Sequence, residues 1–122
     1  MRIISVICQK GGAGKTTIAT NLAVLSERAG FPTVLLDLDP QATAAKWGDK
    51  RGGQAPDVVA AQAGRLPKLL DDARRQGADL AVIDTAPAAD TAALEATRLR
   101  ALIWCWFPVS PQTSTWELLV RR

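Results

Sequence analysis

The sequence predicts an α/β fold, a doubly wound and mostly parallel sheet with helices on both faces. Three observations predict it. Apolar runs alternate with helix-like segments along the chain, the pattern that builds parallel sheets from strand–helix–strand units. The run Ile3-Ile4-Ser5-Val6-Ile7-Cys8 leads into Lys10-Gly11-Gly12-Ala13-Gly14-Lys15-Thr16-Thr17 and then into a helical segment. Strand, glycine-rich loop, lysine, hydroxyl pair and helix are the context that a phosphate-binding loop requires. Two later apolar runs, Val34-Leu35-Leu36 and Leu80-Ala81-Val82-Ile83, each end in an aspartate. Open parallel sheets hold their ligands at that end of the strands.

The elements follow in order. A strand is expected over residues 2–8 and a helix over 15–29. Gly30 and Pro32 stop that helix, as a C-terminal glycine and a following proline do. Residues 33–38 read as a second strand, β-branched and leucine-rich enough to be covered on both faces. A short helix is expected at 42–47. The polar, glycine-rich residues 48–56 read as a loop, and 58–60 as a short edge strand. Leu66, Leu69, Leu70 and Ala73 recur at helical spacing, so a helix is expected over 66–76, ending at Gly77. A fourth strand is expected over 79–83 and another helix over 90–99. A fifth strand falls in Leu102-Ile103-Trp104-Cys105-Trp106-Phe107 and is expected to be the last.

Composition narrows the function. The chain has 122 residues, enough for one domain with a modest core. Histidine is absent, so imidazole chemistry is excluded, and the serines have no base partner. Two cysteines, Cys8 and Cys105, make no disulfide or metal framework. There is no signal-like leader and no apolar stretch long enough to span a bilayer, so a cytoplasmic protein is expected. The net charge is +3, from 15 basic and 12 acidic side chains. Arg98, Arg100, Arg121 and Arg122 against Glu117 account for all of it, leaving 11 of each sign in residues 1–97. The basic balance is therefore no nucleic-acid signal from the body of the fold.

The loop carries the first chemistry. Backbone amides of Gly11, Gly12, Ala13, Gly14, Lys15, Thr16 and Thr17 are expected to converge on phosphate oxygens at a helix N-terminus. Lys15 would reach the β/γ-phosphates of a nucleotide, and the Thr16 hydroxyl would hold Mg²⁺. Asp37 and Asp39 are expected on opposite sides of their strand, and so to do different jobs. Asp84, at the end of the fourth strand, would hold Mg²⁺ through water or through the Thr16 hydroxyl.

The loop departs from the general G-x-x-x-x-G-K-[ST] pattern: Gln9 stands where the first glycine would fall, and Lys10 lies inside the loop. The variant Lys10-Gly11-Gly12-Ala13-Gly14-Lys15-Thr16-Thr17 resembles the deviant Walker A motif of the ParA/MinD family of P-loop ATPases. Asp37-Leu38-Asp39-Pro40-Gln41 is similar to that family's second nucleotide-site motif. The resemblance covers residues 1–97 and, by shape, the tail. It implies that Asp39 orients the attacking water and that Asp37 belongs to the magnesium surroundings. It implies ATP-driven homodimerisation in which Lys10 of one subunit reaches the phosphates held by the other. It also implies a partition partner protein that stimulates hydrolysis, and a role in plasmid or chromosome segregation. Non-specific DNA binding would lose most of its usual surface in a chain of this length. A membrane role would need a C-terminal amphipathic helix, and residues 116–122 are too short and too weakly patterned for one.

The tail departs from the family pattern. Trp104, Trp106 and Phe107 stand where smaller aliphatic residues are expected. Read one nucleotide early, the codons for Trp104-Cys105-Trp106-Phe107 spell Val-Leu-Val across their junctions. Residues from about 98 to 122 are accordingly expected to be a frameshifted tail on a single, partial ATPase domain, the alternative being a genuinely divergent strand. The competing expectation is a truncated remnant with weak or no nucleotide binding.

Overall fold

The computed structural model describes residues 1–7 and 14–86 in full, and the backbone of 101–105 and 118–120. The strands are β1 (Arg2–Ile7), β2 (Thr33–Asp37), β3 (Asp57–Ala60), β4 (Leu80–Asp84), β5 (Ala101–Cys105) and β6 (Leu118–Val120). The helices are α1 (Lys15–Arg28), α2 (Thr43–Lys50) and α3 (Leu66–Arg75), the last preceded by a 3₁₀ turn at Ala63–Arg65. The strands form one sheet in the order β3-β2-β4-β1-β5-β6. All neighbours are parallel except β5 and β6.

Strand alternation sorts the core into two layers. On one face, Ile3, Val34, Leu36, Ala81 and Ile83 pack against Leu66 and Leu70 of α3. On the other, Val6, Leu35, Leu80 and Val82 pack against Ala19 and Ala23 of α1 and Ala44 of α2. β2 and β4 lie at the centre of this arrangement and are buried at every position. That is why they read as continuous apolar runs. The sheet is therefore doubly wound, with helices on both faces, as expected.

Three expectations change. The expected loop at 48–56 begins later, because α2 continues through Lys50. Gly48 reads as a breaker but serves a contact: a Cβ there would lie 2.7 Å from Val58 Cβ. Only a glycine lets α2 lie this close to β3. The fifth strand is not the last, since β6 pairs antiparallel with it through Leu102↔Val120 and Trp104↔Leu118. The third change concerns Asp37 and Asp39. Residues two apart on a strand share a face, so alternation could not separate them. The strand instead stops at Asp37, and Asp39 lies in the following turn.

The helix expected over 90–99 lies outside the described residues, as do Cys8, Trp106, Phe107 and Trp116. Among the described residues, no helix is long and apolar enough to cross a membrane.

Candidate functional site

Register brings the site together. β2 and β4 pair so that Asp37 stands beside Asp84, and Val6 of β1 stands on the other side of Asp84. Asp37 follows Leu35, and Asp84 follows Val82, at alternating positions. Both carboxylates therefore face the layer of α1 and α2. Each is only 1% exposed.

α1 approaches from above. It starts at Lys15 after Gly14, which takes a left-handed conformation (φ +82°), and no side chain caps its first turn. Its inner face is Ala19 and Ala23, both fully buried, so the helix sits low on the sheet. This lets the Thr16 hydroxyl donate a 2.6 Å hydrogen bond to Asp84 Oδ2, across 68 residues of chain. Lys15 is buried on the same turn. Thr20 sits one turn on and donates back to the Thr16 carbonyl at 2.8 Å, holding that turn in place.

Asp84 is the electrostatic centre of the site. Burial pushes its carboxyl up from an ordinary 3.8 to about 6. The Thr16 hydrogen bond and the Lys15 charge oppose this, while the charges of Asp37 and Asp39 add to it. Its second oxygen, Oδ1, is buried with no hydrogen-bond partner among the described residues. A buried, unpaired carboxylate oxygen beside a threonine hydroxyl is a donor set that suits Mg²⁺. That ion takes one or two carboxylates and keeps its remaining positions for water and phosphate. Among the described residues, no three carboxylate or thiol groups are placed to enclose a metal by themselves.

Asp37 is differently placed. Its Oδ1 accepts the Asp39 amide at 3.0 Å, and its Oδ2 accepts the Ala45 amide at 2.9 Å. Asp39 is partly exposed, and its Oδ1 accepts the Gln41 amide at 2.9 Å. It borders an open cavity of about 590 Å³, lined also by Gln62 and Arg65. A smaller cavity, about 240 Å³, lies at the far edge of the sheet between Glu27, Asp57 and Asp72. It is remote from these groups and below the usual size of a small-molecule pocket.

Of the residues expected to form the site, the structure places Gly14, Lys15, Thr16, Thr17, Asp37, Asp39 and Asp84 on the side of the sheet where β2 and β4 end. Lys10, Gly11, Gly12 and Ala13 lie outside the described residues. Sequence reasoning missed Thr85. Its buried hydroxyl donates to the Val6 carbonyl at 2.8 Å and pins the end of β4 to β1. A hydroxyl residue directly after a strand-end aspartate was the available signal.

This fold, with the Thr16 hydroxyl at the start of α1 set against strand-end carboxylates, is that of a nucleotide-binding P-loop domain. Residues 4–100 match the family described as the CobQ/CobB/MinD/ParA nucleotide binding domain. The chain belongs to that family, and the resemblance to ParA/MinD proteins is confirmed. It is 44% identical over 96 residues to the maintenance of carboxysome distribution protein A of Gloeobacter kilaueensis, covering 78% of this chain and 43% of that protein. It is 31% identical over 125 residues to the chromosome-partitioning ATPase Soj of Thermus thermophilus, covering 79% and 50%. The chain thus spans about half the length of the relatives it matches. A nucleotide-binding protein of Archaeoglobus fulgidus, solved with ADP, shares the fold with a TM-score of 0.59 at 20% identity. That match covers 84% of this chain and 53% of the other.

Proposed function

We propose that this chain binds ATP with Mg²⁺ and hydrolyses it, in a cycle coupled to self-association of the partition type. One observation carries the reading: the Thr16 hydroxyl bonds one oxygen of buried Asp84, and the other has no partner among the described residues. A buried carboxylate in that state is costly unless a cation completes it. Thr16 and Asp84 would hold the Mg²⁺, with Asp37 in its surroundings. When bound, Mg²⁺ neutralises charge on the β- and γ-phosphates. Lys15 and the uncapped amides of Gly14 to Thr17 bind phosphate oxygens, together with Gly11, Gly12 and Ala13. Asp39 borders the open cavity and orients the attacking water.

Lys10 from a second copy supplies positive charge to the transferred phosphate, the part that an arginine finger plays elsewhere. Partition of plasmid or chromosomal DNA with a stimulating partner protein is the process that best fits the ParA-type relatives. Residues 98–122 form an atypical end to this single domain.

The test is Lys10→Ala in a form extended to the relatives' length. It should bind nucleotide as wild type does but fail to self-associate. Light scattering with a slowly hydrolysed ATP analogue reads this directly, and a dimer of the Lys10→Ala protein would refute the trans role.

A further inference from the structure

We infer that Asp37 is a positioning residue: its carboxylate clamps the turn at 38–42 to the start of α2 and thereby aims Asp39, without itself ligating the metal. The inference rests on the ATPase reading above. It comes from comparing two carboxylates that stand side by side in register with equal burial. Among the described residues, Asp84 Oδ1 has no hydrogen-bond partner. Asp37 has no oxygen free of the backbone, because Oδ1 takes the Asp39 amide and Oδ2 takes the Ala45 amide.

Those two amides lie at opposite ends of the turn. Ala45 is the third residue of α2, where an amide has no intrahelical acceptor. The residue in the capping position is Ala42, which has no side-chain oxygen to offer. Asp37 supplies the missing cap from the end of β2, eight residues earlier. An anion there is also favoured by the helix dipole. Between the clamped ends the turn closes on itself. The Ala42 amide donates to the Asp39 carbonyl at 2.8 Å, and the Gln41 amide to Asp39 Oδ1 at 2.9 Å. Ala42 holds a left-handed conformation (φ +52°), which a non-glycine residue keeps only where its surroundings impose it. The Leu38 amide donates to the Asp84 carbonyl at 2.8 Å, fastening the same turn to β4. Asp39 therefore sits on a turn whose entry and exit are both fixed by one buried carboxylate. Both bonds are charge-assisted, which makes the clamp stiff.

The test combines NMR with kinetics. In the wild-type chain without nucleotide, the Ala45 amide nitrogen should show scalar coupling across the hydrogen bond to the Asp37 carboxylate carbon. Asp37→Asn can accept only one of the two amides. It should speed exchange of the Ala45 amide by about tenfold or more, the scale of losing a hydrogen bond to a charged group. It should lower kcat by about tenfold, while KM for ATP and the Mg²⁺ needed for half-saturation stay within about threefold. Asp39→Ala and the double variant Asp37→Asn/Asp39→Ala should turn over alike, because Asp37 acts through Asp39.

Absence of the coupling in wild type would overturn the clamp even if the variant failed to fold. Additive losses in the double variant, or a rise of more than about tenfold in the Mg²⁺ requirement, would return Asp37 to the metal. Normal turnover by Asp39→Ala would overturn the reading of the site itself, and with it the purpose of the clamp.

Discussion

The sheet's two rims, or edges, the one where β2 and β4 begin and the one where they end, are finished in opposite ways. At the edge where β2 and β4 begin, helices end, and they end closed. After α1, the Gly30 amide donates to the Glu27 carbonyl at 3.0 Å and the Phe31 amide to the Ser26 carbonyl at 3.0 Å. After α3, Gly77 and Ala78 make the same pair of bonds to Arg74 and Ala73, at 3.1 and 3.0 Å. These are Schellman motifs, which satisfy the last carbonyls of a helix from within the chain. The Pro32 carbonyl then accepts from both Asp79 and Leu80, stitching the two strand starts together. At the other edge helices begin, and the start of α1 is open. Among the described residues α1 has no side-chain cap and Asp84 keeps an unpaired oxygen, while α2 borrows its cap from Asp37. Polar groups closed on themselves stabilise the fold alone. Groups left open near a buried charge can still be completed by a ligand, and that is where we propose the site.

The largest effect should come from the open edge. Lys15→Ala removes the buried charge at the loop, and ATP affinity in the presence of Mg²⁺ should fall by roughly 10²-fold, the scale of a lost charge-assisted bond. Titration calorimetry measures it, and equal binding by both proteins would erase the contrast between the edges. Asp39→Ala divides binding from chemistry at that same edge. It should keep its ATP affinity yet lose roughly 10²-fold in turnover, as loss of a positioned water-orienting group does. Unchanged phosphate release would remove Asp39 from its role.

Asp84 gives a pH signature. Its folded carboxyl lies near 6, above an ordinary 3.8, so the folded chain holds this proton more tightly than the unfolded chain. The stabilisation is complete below about 4 and is lost as pH rises through about 6. Asp84→Asn should therefore stabilise the nucleotide-free chain at pH 7 by up to about 2 kcal/mol, and by little at pH 4. Urea denaturation of both proteins at the two pH values gives the difference. A constant difference would mean that the charge is not what burial penalises. The smallest effect belongs to the closed edge. Gly30 sits at φ +88°, so Gly30→Ala should cost about 1 kcal/mol of stability and leave ATP affinity unchanged. A matching loss of affinity would show that the two edges are coupled through α1.

Much of this was legible beforehand, for identifiable reasons. β2 and β4 are buried on both faces, so their composition alone marks them as central strands. Their terminal aspartates stand out because an acidic residue directly after three or four apolar ones is unusual. Other features left no local trace. Gly48 looks like a breaker until Val58 is placed against it. β6 exists only as a partner for β5, and residues 118–120 are too few to signal a strand alone. Thr85 shows its value only once Val6 is beside it.

The sequence by itself determined the alternation of strands and helices, the phosphate-loop motif and the strand-end carboxylates. These follow from residue type and short spacing, which act along the chain. Only the tertiary structure decided how the carboxylates divide their work. Asp37 and Asp84 have the same chemistry, the same burial and adjacent places in register. They differ in what lies above them. Asp37 meets the bare amides at the start of α2, and Asp84 meets one hydroxyl of α1. Hydrogen-bond partners are set by where helices land on the sheet, and that depends on packing between residues far apart in the chain.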